Sequence, residues 1–401
     1  MTYDLVVIGS GPAGMSAAIN AASYGARVAI VDENPVTGGK LLGQMHEDPD
    51  FEWWIGENIA REMTSEVKKL DIDTFLEKEV WGIFPQWNVM LHSGEQLQAS
   101  NVLIATGAAE KAMPLPGWTK PGVMAIGAAQ TLTNYHRVKP GHNVAIIGVD
   151  PLSLSVAHEL KMADVNVAGI FLPPSNALTS DKSSPMQIID DLSGMAHLAP
   201  NRLMKIAGKM AKNPVMKKAA AKFYPSFGMK VWGIPLFLRK TVLAIEGKEQ
   251  AETVKTAKIV QNGQLQQENA KSINVDCVCI SGGLYPLAEL ASSAGCAFAY
   301  IKELGGHIPL HSPEMETTQE GIFVAGNITG IESAKVAMAQ GKLAGTAISD
   351  RLGLLNNPQK AVTRARKEVE DASEQALIQF QPNIGYGREK AEQIWREKAD
   401  L

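Results

Sequence analysis

The chain opens with an apolar run at residues 3–8, YDLVVI. Gly9, Gly11 and Gly14 follow in the register G-x-G-x-x-G, then the helical stretch MSAAINAASYG, then a second apolar run, ARVAIVD, that ends at Asp32. Two short apolar runs joined through a helix predict two buried parallel strands with a crossover between them, and this constrains the fold more than any other stretch. The glycines have separate tasks. Gly9 permits the tight turn, Gly11 lets the backbone approach a pyrophosphate, and Gly14 lets helix and strand pack closely. Pro12 and Ala13 complete the loop, and the helix start offers its amides to an anion. Asp32, with Glu33 beside it, stands where an acceptor for an adenosine ribose hydroxyl belongs.

Two further segments lie far along the chain. NVLIATGAAEKAMPLPGW (101–118) predicts a strand ending in Ala105, Thr106 and Gly107. TTQEGIFVAGNITG (317–330) predicts another, ending in Gly326 and Asn327 before a small-residue helix. The length of 401 residues suits two or three domains, and a net charge of −4 gives no general affinity for nucleic acid. Three cysteines cannot build a disulfide framework, which suggests a reducing cytoplasm. No apolar run reaches spanning length, so any membrane contact would be peripheral.

Taken together, these three segments resemble the fingerprint of the two-dinucleotide-domain flavoproteins, the class that contains glutathione and thioredoxin reductases. The resemblance implies FAD, with Ala105, Thr106 and Gly107 near the nucleotide and Gly326 and Asn327 at the ribityl chain. The class usually has aspartate where this chain has Asn327, whose amide oxygen is expected to accept in its place. In TGGK (37–40), Gly39 and Lys40 lie where relatives carry a glycine pair and a glutamine, which would set a cation near the flavin. The redox cysteine pairs of the reductases have no counterpart here. PLPGWTKPGVMAIGAAQTL (114–132), DENPVTGGK and GIESAKVAMAQGKLAG narrow the resemblance to the FAD subunits of bacterial amino-acid and amine dehydrogenase complexes. That implies an electron-relay subunit working beside a partner flavoprotein, with any iron–sulfur cluster held by a separate small protein. Two alternatives stay open: a self-sufficient NAD(P)H-dependent flavin reductase, and a non-catalytic assembly subunit that binds ADP or ATP.

The expected class is α/β, with two Rossmann-like dinucleotide-binding domains, the second inserted into the first. Residues 1–115 and 300–352 form the FAD-binding domain and 116–299 the NAD(P)-like one. A helical insertion covers 173–235, and a helical C-terminal tail covers 353–401. The second domain opens with NVAIIGVDPLSLSV (143–156), where Gly148, Asp150 and Ser153 occupy the three glycine positions. A carboxylate there repels a pyrophosphate, and the next strand ends without a ribose acceptor, so this nucleotide position is read as decayed. The insertion interleaves Lys205, Lys209, Lys212, Lys217, Lys218 and Lys222 with apolar residues at helical spacing. It reads as a solvated basic face or as a docking surface. Cys277 and Cys279 read as small core residues of one strand. His307 and His311, separated by proline-containing sequence, make a poor metal pair.

Overall fold

The computed structural model describes residues 2–48, 52–180, 182–194, 205–206, 208, 210–211, 213–225, 227–260, 263–266, 270–381 and 383–399. Lys209 and Lys212 of the lysine-rich stretch lie outside the described residues. The chain forms two compact units: Met1–Leu42, Ile55–Ala109 and Leu284–Leu401 make the first, Gly43–Trp54 and Glu110–Gly283 the second.

In the first unit the strand Thr2–Ile8 lies between Val28–Val31 and Gln96–Ile104, parallel to both. Asp73–Phe75 extends the sheet beyond Val28–Val31, and Ile322–Val324 runs beside the end of Gln96–Ile104. Alternate side chains enter opposite layers. Leu5 and Val7 join the core made by the helices Pro12–Ser23 and Ala334–Arg351, while Val6 and Ile8 face a second core that includes Ala288 and Ala291. Covering both faces explains why these strands read as continuous apolar runs. The two helices touch closely because Gly341 has no side chain: a Cβ there would lie 2.0 Å from the Ala13 carbonyl oxygen.

The boundaries differ from the sequence expectation for identifiable reasons. The chain returns to the first unit at Leu284, because Leu284–Pro286 pairs with Ala108–Glu110 and the helix Glu289–Ser293 sinks Ala291 into the core. The described residues after Arg351 also belong to the first unit. Ala365 of the helix Pro358–Glu374 packs with Val7 and Leu343, and Ala391 of Ile384–Ala399 packs with Ile301, Leu304 and Ile308.

In the second unit the order is Val123–Ala125, Cys277–Ile280, Asn143–Ile147, Asn166–Leu172 and Ile234–Glu246, all parallel. Thr253–Lys258 and Lys271–Asn274 continue the sheet in antiparallel fashion. Residues 43–54 belong here because the Gly43 carbonyl accepts from Asn134 Nδ2 at 2.8 Å. The expected helical insertion contains Pro185–Gly194 and Pro214–Phe223, but it closes on a hairpin, Met229–Val231 paired with the start of Ile234–Glu246.

One buried acid in this unit has a titration consequence. Glu159, on the helix Pro151–Met162, is 2% exposed and accepts from Gln130 (3.0 and 3.1 Å), Asn134 (2.7 Å) and Ser155 (2.8 Å). Burial outweighs these donors and pushes its carboxyl up to about 7. A raised folded-state value means the native state holds the proton more tightly. Its contribution is therefore complete below the ordinary value of 4.5 and is lost as pH rises through about 7. Glu159→Gln should flatten the pH dependence of stability between these values by about 3 kcal/mol, read from urea unfolding across that range. An unchanged slope would assign the dependence to other groups.

Candidate cofactor-binding site

The loop after Thr2–Ile8 is built around what it leaves open. Gly9 has φ +103°, and a Cβ there would lie 2.5 Å from the Ala105 carbonyl oxygen; at Gly14 it would lie 1.9 Å from the Gly9 oxygen. These two glycines are required by the protein itself. Gly11 is different. A Cβ there would meet nothing within 4 Å, and the same holds at Gly107. Gly11 is also the N-cap of the helix Pro12–Ser23, which has no side-chain cap and no acidic residue in its first turn. The cap position at the positive end of that helix is therefore open, and neither the cap nor the first turn supplies an anion. Gly39 approaches from the side, its own Cβ position 3.1 Å from Gly11 Cα, while Lys40 beside it is exposed. This cradle fits a dinucleotide phosphate.

The neighbouring polar groups are already engaged, in ways the sequence did not display. Asp32 Oδ2 accepts from the backbone N–H and the hydroxyl of Ser10, at 2.6 and 2.7 Å. Its Oδ1 accepts from the backbone and side-chain amides of Asn34, at 2.8 and 2.9 Å. Four donors saturate the carboxylate. A ribose hydroxyl would have to displace the Ser10 hydroxyl or the Asn34 side chain, whereas Glu33 next to it is exposed. Thr106 spends its hydroxyl on the Leu287 carbonyl at 2.5 Å. Asn327 was expected to accept through its amide oxygen, but that oxygen accepts from Glu332 N at 3.1 Å. An amide oxygen has two lone pairs, so this bond leaves Oδ1 room for a second donor, and Nδ2 adds a donor beside it.

The turn that carries Gly326 and Asn327 is held from two directions. Gln340 Oε1 accepts from Gly326 N at 2.9 Å and from the Thr329 hydroxyl at 3.2 Å. From the C-terminal helix, Arg388 donates to the Thr329 carbonyl at 2.8 Å and clasps Glu332 through Nε at 3.0 Å and through Nη2. Ser373 adds a third donor to Glu332 at 3.1 Å. No local motif marks Arg388 or Gln340, because each acts on residues distant in sequence or across a helix turn.

The second unit repeats the N-terminal layout with the opposite outcome. Gly148 has φ +110°, and the helix Pro151–Met162 starts at proline and runs for 12 residues, as Pro12–Ser23 does. Its N-cap, however, is Asp150. Oδ1 accepts from Ser153 N at 2.8 Å, and the Ser153 hydroxyl accepts from Asp150 N at 2.9 Å, a complete capping box. Asp150 Oδ2 accepts from the Ser281 hydroxyl at 2.6 Å. Lys182 donates to the Gly282 carbonyl, and the charges of Asp150 and Asp191 partly offset the burial that lowers its ammonium. Ser153, at the third glycine position, is therefore the second half of the cap.

Of the other candidate groups, the three cysteines are buried and His307 is exposed. Cys277 and Cys279 are buried with sulfurs 3.9 Å apart, and their mutual hydrogen bond with burial drives the Cys279 thiol well above its usual range. Burial also raises Cys296. His307 lies edge-on to Tyr300 at 5.0 Å, while His311 Nδ1 contacts the Ser312 carbonyl at 2.9 Å and burial pushes its imidazole down to about 4.

The pyridine nucleotide-disulphide oxidoreductase family matches residues 3–341. An opine oxidase subunit from Agrobacterium tumefaciens (strain Ach5) is 31% identical over 372 residues, covering 88% of this chain and 67% of that protein. Hydrogen cyanide synthase subunit HcnB of Pseudomonas protegens is 25% identical, covering 89% of this chain and 72% of its own length. The fold also resembles that of L-proline dehydrogenase from P. horikoshii, with a TM-score of 0.64 at 20% identity, covering 92% of this chain and 59% of that one. The chain thus spans about two thirds of the length of these relatives.

The clasp on the Thr329–Glu332 turn is open to test. Glu332 has a side chain only 9% exposed, so Arg388→Ala strands a largely buried carboxylate and should cost about 2 kcal/mol in urea unfolding. Arg388→Lys keeps the charge without the fork and should recover less than half of that loss. An alanine variant as stable as the parent would show the turn stands without it.

Proposed function

Since this chain belongs to the pyridine nucleotide-disulphide oxidoreductase family, we propose that it is the FAD-binding electron-relay subunit of an amino-acid or amine dehydrogenase or oxidase complex. The family and the oxidase relatives make it a flavin-dependent oxidoreductase. The observation that carries the finer reading is the contrast between its two loops. One helix N-terminus has no side-chain cap and no acidic residue in its first turn, and the other is capped by Asp150 and Ser153.

In this reading Gly9, Gly11, Pro12, Ala13 and Gly14 surround the pyrophosphate, and Asp32 and Glu33 serve the ribose. Ala105, Thr106 and Gly107 line the nucleotide, while Gly39, Lys40, Gly326 and Asn327 lie toward the flavin end. Bound FAD would supply a centre that accepts electrons in pairs and passes them on. Asp32 orients the loop through Ser10, and the Pro12–Ser23 helix holds the phosphates. The second unit, with its nucleotide position answered internally, leaves the chain without a nicotinamide donor of its own. Electrons would then arrive from a partner flavoprotein, a role supported by relatives that are themselves named as subunits. These 401 residues hold three cysteines, one fewer than a four-thiolate cluster uses, so in this reading any iron–sulfur centre of the complex is ligated from outside them.

Two experiments test this. The purified protein should be yellow and release FAD, not FMN, on heating. Gly11→Asp places a carboxylate in open space, where it can cap the helix as Asp150 does, so it should fold normally and lose flavin affinity by tenfold or more. A full flavin complement in that variant would mean the pyrophosphate lies elsewhere. Mixed anaerobically with millimolar NADH or NADPH, the parent protein should keep its oxidised-flavin absorbance, and alone it should not turn over proline, sarcosine or glycine. Rapid bleaching by either nucleotide would favour a self-sufficient reductase, and amine turnover by the lone chain would remove the need for a partner.

A further inference from the structure

Between Gly194 and Ile245 the sequence contains no aspartate or glutamate and ten cations, eight of them lysine. In a chain of net −4 this leaves −14 on everything else, so positive charge is concentrated in one stretch of the second unit. The described part of that stretch also exposes apolar side chains. Phe223 and Phe227 are 77% and 80% exposed and Val215 is 75% exposed, with Met216 and Met229 also at the surface.

The helix Pro214–Phe223 shows how the two properties combine. Asn213 caps it, and its inner side is fixed by Ala221, which is buried, and by Lys217, which pairs with Asp190 at 2.7 Å. At 100° per residue, Val215, Met216 and Phe223 project away from Ala221, Lys222 stands at about a right angle to it, and Lys218, also exposed, lies about 60° from it. Lys222 Nζ sits 5.8 Å from the centre of the Phe223 ring, and Arg239 joins the same end by donating to the Lys222 carbonyl at 3.2 Å. Among the described residues Lys217 has a carboxylate partner, whereas no described carboxylate pairs with Lys218, Lys222 or Lys230.

From this surface we infer a peripheral docking site for an anionic lipid bilayer, in which Val215, Met216, Phe223 and Phe227 enter the headgroup boundary while Lys218, Lys222, Lys230 and Arg239 meet lipid phosphates. The composition selects this occupant. Protein interfaces are depleted in lysine and favour arginine, whereas interfacial segments combine lysine with phenylalanine and aliphatic residues. A nucleic acid would satisfy the cations but leave four exposed apolar side chains without a role. No described helix is long and apolar enough to cross a membrane, so the contact is with the surface. The inference stands independently of the flavin reading.

The test is flotation of the full-length protein with vesicles of phosphatidylcholine alone, or of phosphatidylcholine and phosphatidylglycerol at a 7:3 ratio, a composition of about 30% anionic lipid. The parent protein should float with the anionic vesicles, remain behind with the neutral ones, and detach at high salt. Lys218→Glu/Lys222→Glu should lower the bound fraction at least tenfold. Phe223→Ser/Phe227→Ser, which keeps every charge, should also lower it severalfold. Circular dichroism and the unfolding midpoint check that each variant is folded. Failure of the parent to float on anionic vesicles, equal flotation on neutral ones, or undiminished binding by the folded charge-reversal variant would each overturn the inference. If the parent ignores vesicles and the charge reversal instead releases a co-purifying protein, the patch is a protein interface and the lipid assignment falls.

Discussion

A helix that begins at the end of a buried parallel strand directs its unpaired amides at one edge of the sheet, and an anion or a polar cap has to meet them. This chain solves the problem in two ways on two copies of one layout. After Thr2–Ile8 the N-cap is Gly11, with open space where a side chain would be; after Asn143–Ile147 it is Asp150, with both carboxylate oxygens occupied. The residues around these caps keep their counterparts. Gly9 and Gly148 share a left-handed turn, and Pro12 and Pro151 each start a helix of 12 residues. The difference between glycine and aspartate at one position, supported by serine three residues on, separates a helix end without a side-chain cap from one that supplies its own.

The rest of the first unit serves to keep that open loop in shape. Asp32 joins the end of the second strand to Ser10 in the loop, so the carboxylate expected to touch a ribose first acts as an internal strut. Gly341 lets the Ala334–Arg351 helix pack against Ala13, and Gln340 on that same helix fixes Gly326. Arg388 extends the support to the C-terminal helix, far along the chain from the turn it holds. The site is therefore positioned by segments from both ends of the chain, with the second unit's sequence interposed.

What could be read in the sequence was whatever is encoded locally. The strand, loop, helix and acid of residues 3–32 are contiguous, and their periodicity and glycine register dictate the fold of the first unit and the candidate loop. The late strand ending at Gly326 was visible for the same reason. Asp150 was legible only as a repulsion. That it caps its own helix depends on Ser281, which lies 131 residues away and reaches it through an adjacent strand. The boundaries at Leu42 and Leu284 were hidden likewise, since they follow from an amide at Asn134 and from a two-stranded pairing with Ala108–Glu110. Asn327 was legible as a departure from aspartate, but not as a residue whose oxygen closes its own turn on Glu332.

The two ways of satisfying a helix end also differ in how folding couples to binding. A capping box contributes about 1 kcal/mol whether or not any ligand is present, so the second unit's nucleotide loop is complete on its own. The first unit has no such contribution at Gly11, and its helix end is best satisfied only with an anion in place. A ligand that binds the native loop and not the unfolded chain stabilises by a term that grows with the logarithm of its concentration over its dissociation constant. In the proposed reading the first loop is where occupancy and stability are linked, whereas the second loop draws its cap from the chain itself. In the proposed reading Asp150 and Ser153 take the place of a phosphate at this helix end, and a cap of that kind lets a parallel sheet and its helices stand without a nucleotide.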